Sequence, residues 1–193
     1  MGKSRDATAI AVVEREVRKL YGMDWVTYAS RMSEVADSYT VRHLEKVKLG
    51  TPYSAVARRV KEIADRLVKM STFCTVVVDA TGVGAPVVDL LRESGMGCEV
   101  EAVTITGGDE ARRVKGGWTV PKSDLMMGLQ VAFQEGVLRV VEELEAWPVL
   151  VKELMDVRVL VGASGSVRYE AVGRAHDDLV LAVALGYWRS RRG

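Results

Sequence analysis

Apolar residues recur at three- and four-residue spacing through Val56, Val60, Ile63, Ala64 and Leu67, which predicts an amphipathic helix over residues 53–70. Gly50-Thr51-Pro52 precedes it as a turn and helix start, with Pro52 suited to the first helical position. The period changes on either side. Residues 7–14 form a small, β-branched apolar run and predict a strand. Residues 39–48 set Tyr39, Val41, His43 and Glu45 against Thr40, Arg42, Leu44 and Lys46, the alternation of an exposed strand. Residues 73–79 are apolar without polar alternation, as in a strand covered on both faces. Between these runs, residues 15–37 scatter Trp25, Tyr28 and charges with no period that assigns them.

The second half alternates shorter elements. Gly82-Val83-Gly84-Ala85-Pro86 turns the chain into a helix through about Ser94, and Gly95-Met96-Gly97 ends it. Strands are expected over 98–104 and 137–140, and helices over 121–134 and 145–155. Residues 106–120, rich in glycine and charge, predict a surface loop. Residues 157–161 and 167–171 flank Gly162-Ala163-Ser164-Gly165 as a β-hairpin, and a last, largely apolar helix starts near Asp177. Strands alternating with helices imply one α/β domain with a largely parallel sheet. No internal repeat or linker interrupts it.

Composition narrows the function classes. With 193 residues, 48% apolar and 27% charged, the chain has enough material for one real core. A formal net charge of +1 supplies no global attraction for nucleic acid, so any such binding rests on local patches. No apolar run approaches the ~20 residues that span a bilayer, and the start lacks a signal-peptide apolar region. Asp6 stands where a myristoylation signal needs Ser or Thr. No membrane partner is expected. Cys74 and Cys98 have no metal-ligand spacing and are expected as buried thiols in a reducing cytoplasm.

The candidate chemistry is carboxylate chemistry. Asp79 closes an apolar strand, and open α/β sheets place their sites at the carboxyl ends of strands. Asp177 and Asp178 open the last helix, where a plain capping role is the competing explanation. Magnesium and manganese take hard oxygen ligands, and phosphodiester hydrolysis uses one such ion or a pair about 4 Å apart. Asp79 and Asp178 are the candidate metal ligands, with Asp177 as a cap or outer-sphere group. His176 suits orienting a carboxylate or carrying a proton, and equally a capping hydrogen bond; His43 reads as structural. Gly82 and Gly84 make only G-x-G, which fits a tight turn as well as a phosphate cradle in a nucleotide-binding module. Arg112, Arg113, Lys115 and Lys122 are the candidate phosphate contacts, together with the tail Arg189, Arg191 and Arg192; solvated surface charge is the alternative. Trp118 suits either a loop anchor or a stacking surface.

Four segments taken together resemble the C-terminal nuclease domain of the large terminase subunit of tailed phages, an RNase H-like mixed sheet flanked by helices. They are Asp6-Ala7-Thr8-Ala9-Ile10-Ala11-Val12-Val13, Val77-Val78-Asp79-Ala80-Thr81-Gly82-Val83-Gly84, Val120-Pro121-Lys122-Ser123-Asp124-Leu125, and His176-Asp177-Asp178-Leu179 with Ala182 and Ala184. The resemblance implies a metal-dependent endonuclease acting on double-stranded DNA in phage or prophage packaging, using Mg2+ or Mn2+. It also implies an ATPase domain, a small terminase subunit and a portal as partners. Asp79 and Asp178 match the family's second and third acids. The family's first acid, in an Asp-Leu-Gly-like segment, would precede Met1, so that acid and most of its strand are expected to be missing. Asp6 lies beyond the expected turn and is at most a partial substitute. Leu181 stands where some relatives carry a further acid, and no Walker A loop marks an ATPase. A catalytically impaired prophage remnant that binds DNA or protein is the alternative these departures raise.

Overall fold

The computed structural model describes residues 8–20, 34–70, 73–161, 167–171 and 177–192. In chain order the elements are β1 (Thr8–Leu20), β2 (Glu34–Val47), α1 (Tyr53–Met70), β3 (Thr75–Asp79), a 3-10 turn (Gly82–Gly84), α2 (Ala85–Glu93), β4 (Glu99–Thr106) and β5 (Arg112–Val114). They continue with β6 (Gly117–Pro121), α3 (Lys122–Gln134), β7 (Leu138–Val140), α4 (Trp147–Asp156), β8 (Val157–Val161), β9 (Val167–Ala171) and α5 (Asp178–Ser190). The expected helix over 53–70 and the hairpin of 157–161 with 167–171 match α1 and the β8–β9 pair.

One sheet has the order β1-β2-β7, with β1 antiparallel and β7 parallel to β2. A second has the order β3-β4-β6-β5, parallel except for β5. β1 and β3 are therefore both edges among the described residues, and α5 packs against both.

Helix α5 is the centre of the core. Leu179, Val180, Val183 and Ala184 are fully buried, and Tyr187 and Trp188 nearly so. Tyr187 meets Tyr39 edge-on at 4.9 Å between ring centroids, and Trp188 meets Trp118 the same way at 5.5 Å. These contacts tie α5 to one strand of each sheet. Gly186 lets the helix approach β1 closely: a Cβ there would sit 2.8 Å from Val13 Cγ2.

Several expectations are corrected. Residues 39–48 are not an exposed strand, because Tyr39, Val41 and Leu44 all face the core. Val12 pairs with His43 while Val13 pairs with Val41, so Arg42 is an extra, bulged residue that reverses the alternation. Residues 106–120 are not a loop throughout. They form β5 and β6, turned by Gly116 at φ +91°, and β6 sits inside its sheet with Val120 fully buried. Residues 75–78 are only half-buried, because β3 has a strand neighbour on one side alone among the described residues. Cys74 and Cys98 are half-buried rather than buried. They precede β3 and β4 at the point where the ladder pairs Thr75 with Glu99. Burial first, then the Cys74 hydrogen bond, pushes the Cys98 thiol up to about 12.

Candidate active site

Two lysines meet the start of α5, one from strand β2 and one from the first residue of α3. Lys122 begins α3 directly after β6 ends, and its Nζ lies 2.6 Å from Asp177 Oδ2. Lys46, near the end of β2, places its Nζ 2.7 Å from Glu153 Oε1 and 3.5 Å from Asp178 Oδ2. Glu153 in turn accepts hydrogen bonds through Oε2 from the backbone N–H groups of Leu179 at 2.8 Å and Val180 at 3.3 Å. A carboxylate at a helix N-terminus satisfies donors that have no partner within the helix and complements the dipole.

Asp177 was expected to serve as cap or outer-sphere group. It stands at the N-cap position, but its side chain makes no capping bond there and pairs with Lys122 instead. The cap comes from Glu153, 26 residues upstream on α4 and only 5% exposed. Glu153 and Lys46 are the two site residues that sequence reasoning missed. Nothing local marks either residue: Glu153 follows Lys152 on α4 and reads as an ordinary surface charge pair.

Burial by itself would lower the Lys46 ammonium. The hydrogen bond and charge of Glu153, and then Asp178, outweigh that and hold it above the ordinary lysine value. The ammonium is thus charged between two acids.

Asp79 ends β3 at the carboxyl edge of the parallel strands, and its side chain is exposed. Its Oδ1 accepts the Thr81 N–H at 2.8 Å, a local turn that orients the carboxylate. The Thr81 hydroxyl accepts the Ile105 N–H at 2.8 Å, and the Ala80 N–H reaches the Val103 carbonyl at 2.8 Å, anchoring the turn to β4. Gly82 has φ +62°, and a Cβ on Gly84 would overlap the Asp79 carbonyl oxygen. Both glycines are accounted for by the turn that carries Asp79, without a phosphate.

Among the basic candidates, Arg112, Arg113 and Lys115 are exposed on β5 and its turn, and Arg113 lies 5.5 Å over the Trp118 ring. Trp118 anchors this hairpin to Trp188. Lys122 is half-buried against Asp177. In the tail, Arg189 pairs with the buried Glu101 at 2.6 Å, Arg191 lies 5.5 Å over Tyr187 and Arg192 4.3 Å over Trp188. His43 Nε2 lies 3.1 Å from Glu45 Oε2, a structural contact. His176 and Asp6 lie outside the described residues.

Among the described residues, no three His, Cys, Asp or Glu side chains converge as a group able to hold a metal ion. Asp178 faces an ammonium and Asp79 is bound to its own turn. A divalent ion wants several hard oxygens and little tolerance for a competing cation. As it stands, the described donor set does not fit one. No helix of the described residues is long and apolar enough to cross a membrane.

A mixed sheet packed on a central C-terminal helix is the RNase H-like fold that this chain shares with solved terminase nuclease domains. The large terminase nuclease of thermophilic phage G20c, in a cobalt-bound structure, superimposes with a TM-score of 0.55 at 21% identity, covering 97% of this chain and 84% of that one. The nuclease domain of the large terminase of Thermus phage P74-26 gives 0.53 at 19% identity over 96% and 82%. The human cytomegalovirus terminase nuclease domain gives 0.52 at 12% over 94% and 84%. A further G20c structure holds magnesium. No family model matches the sequence, and no curated protein sequence does.

Proposed function

We propose that this chain is a terminase-type nuclease module that acts on double-stranded DNA during phage or prophage packaging. The observation that carries this reading is the placement of two acids in this fold: Asp79 ends a parallel strand, and Asp178 begins the core helix that packs on that strand. In this reading Asp79 and Asp178 are two of the carboxylates for divalent-ion hydrolysis, the ion type that the bound magnesium and cobalt of the G20c proteins suggest. β1 and β3 are both edge strands among the described residues, and both lie against α5, so the helix-start acids sit close to two open strand edges. Arg112, Arg113 and Lys115 are placed to add salt-dependent, sequence-independent affinity for the DNA backbone.

The Lys46 ion pair favours a second reading, a module that binds DNA without cutting it. A plasmid-nicking assay over a range of Mg2+ and Mn2+, run beside Asp79→Ala and Asp178→Ala, decides between them. Cutting that both substitutions abolish supports the nuclease. Intact plasmid with retained, salt-dependent binding supports the second reading, and cutting by both alanine variants defeats the first.

A further inference from the structure

We propose that Lys46 is the resident cation of this carboxylate site: its ammonium fills the space between Glu153 and Asp178, so that a divalent ion reaches Asp178 only by displacing it. The proposal rests on the nuclease reading for its biological meaning, but its geometry stands apart from any catalysis. Lys46 Nζ lies 2.7 Å from one acid and 3.5 Å from the other, so a metal ion would compete with the ammonium for the same oxygens.

The two acids differ in freedom. Glu153 is buried, and its second oxygen is committed to the Leu179 and Val180 N–H groups, so it is fixed to α5. The Lys46 side chain is 32% exposed, on a flexible four-carbon stem that can carry its charge out to water. Displacement therefore moves the lysine and leaves Glu153 in place. Lys122 pairs with the neighbouring Asp177, so two ammoniums face the three carboxylates at the helix start.

The test is a Mn2+ titration of the intact chain, read by the loss of the free-ion paramagnetic resonance signal and by the melting temperature. Lys46→Met is expected to bind Mn2+ at least tenfold more tightly than the unaltered chain, while Lys46→Arg is not. Added Mn2+ should raise the melting temperature of Lys46→Met most, because a ligand that binds only the folded state stabilises it. Asp178→Asn in the Lys46→Met background should remove the gain. Unchanged affinity in Lys46→Met, or a gain that survives Asp178→Asn, overturns the proposal. If Lys46→Met does not fold because Glu153 is left as a buried unpaired charge, the double variant Lys46→Met/Glu153→Gln removes both charges and keeps the capping oxygen. That variant must show the same gain, and no gain overturns the proposal. The nuclease reading fails separately, in the plasmid assay, whatever the Mn2+ titration shows.

Discussion

Lys122 Nζ sits 2.6 Å from Asp177 Oδ2, joining the residue after β6 to the residue before α5 across 55 positions of sequence. Both side chains are largely covered, at 32% and 19% exposure, so the pair is screened less than a surface ion pair. Lys122→Met is expected to lower unfolding free energy by about 1 kcal/mol, seen as a lower urea midpoint at unchanged slope. Because this ammonium is already committed, the same substitution should leave the salt dependence of DNA binding unaltered. A slope reduced by about one would mean that Lys122 contacts a phosphate.

Glu153 supports three groups at once: the Lys46 ammonium and two N–H donors of α5. Glu153→Ala leaves the two buried N–H donors without their acceptor, while the Lys46 ammonium can turn to water. The expected cost is about 2 kcal/mol by urea unfolding. Glu153→Gln should cost less, since its amide oxygen still accepts from the helix.

Gly84 lies against the Asp79 carbonyl, with no room for a side chain. Gly84→Ala must push the turn away from β3, at a cost of about 1–3 kcal/mol typical of overpacking. It should also lower any Asp79-dependent activity more than the stability loss alone accounts for. Equal activity per folded molecule would show that the turn does not set the position of Asp79.

The Cys98 thiol is pushed from its ordinary value of 9.0 up to about 12 by burial and by Cys74. The folded state then keeps its proton where the unfolded chain has lost it. Its contribution to stability is present in full below pH 9 and drains away as pH rises toward 12. The melting temperature should fall over that window, and Cys98→Ala should flatten the fall. At pH 8 the native thiol should alkylate on the order of a hundredfold more slowly than an exposed cysteine.

Local pattern was enough for much of the fold. The three- and four-residue spacing of Val56, Val60, Ile63, Ala64 and Leu67 defines α1 because an amphipathic face is written within a few turns. The hairpin of β8 and β9 and the placement of Asp79 and Asp178 at element ends are legible for the same reason. The bulge at Arg42 was not, since an extra residue leaves the composition alternating while reversing which face is buried. The strand β6 was hidden by the glycines that turn it and by a register set by pairing with β4 as well as with β5.

The sequence by itself thus determined most of the helices and several strands, the strand-end acid and the helix-start acids, because period, turn residues and helix-end preferences act over a few positions. Only the tertiary structure decided what those acids meet. Lys46 and Glu153 come from segments 107 residues apart, and the contacts that bring them together at α5 depend on packing that no local pattern encodes.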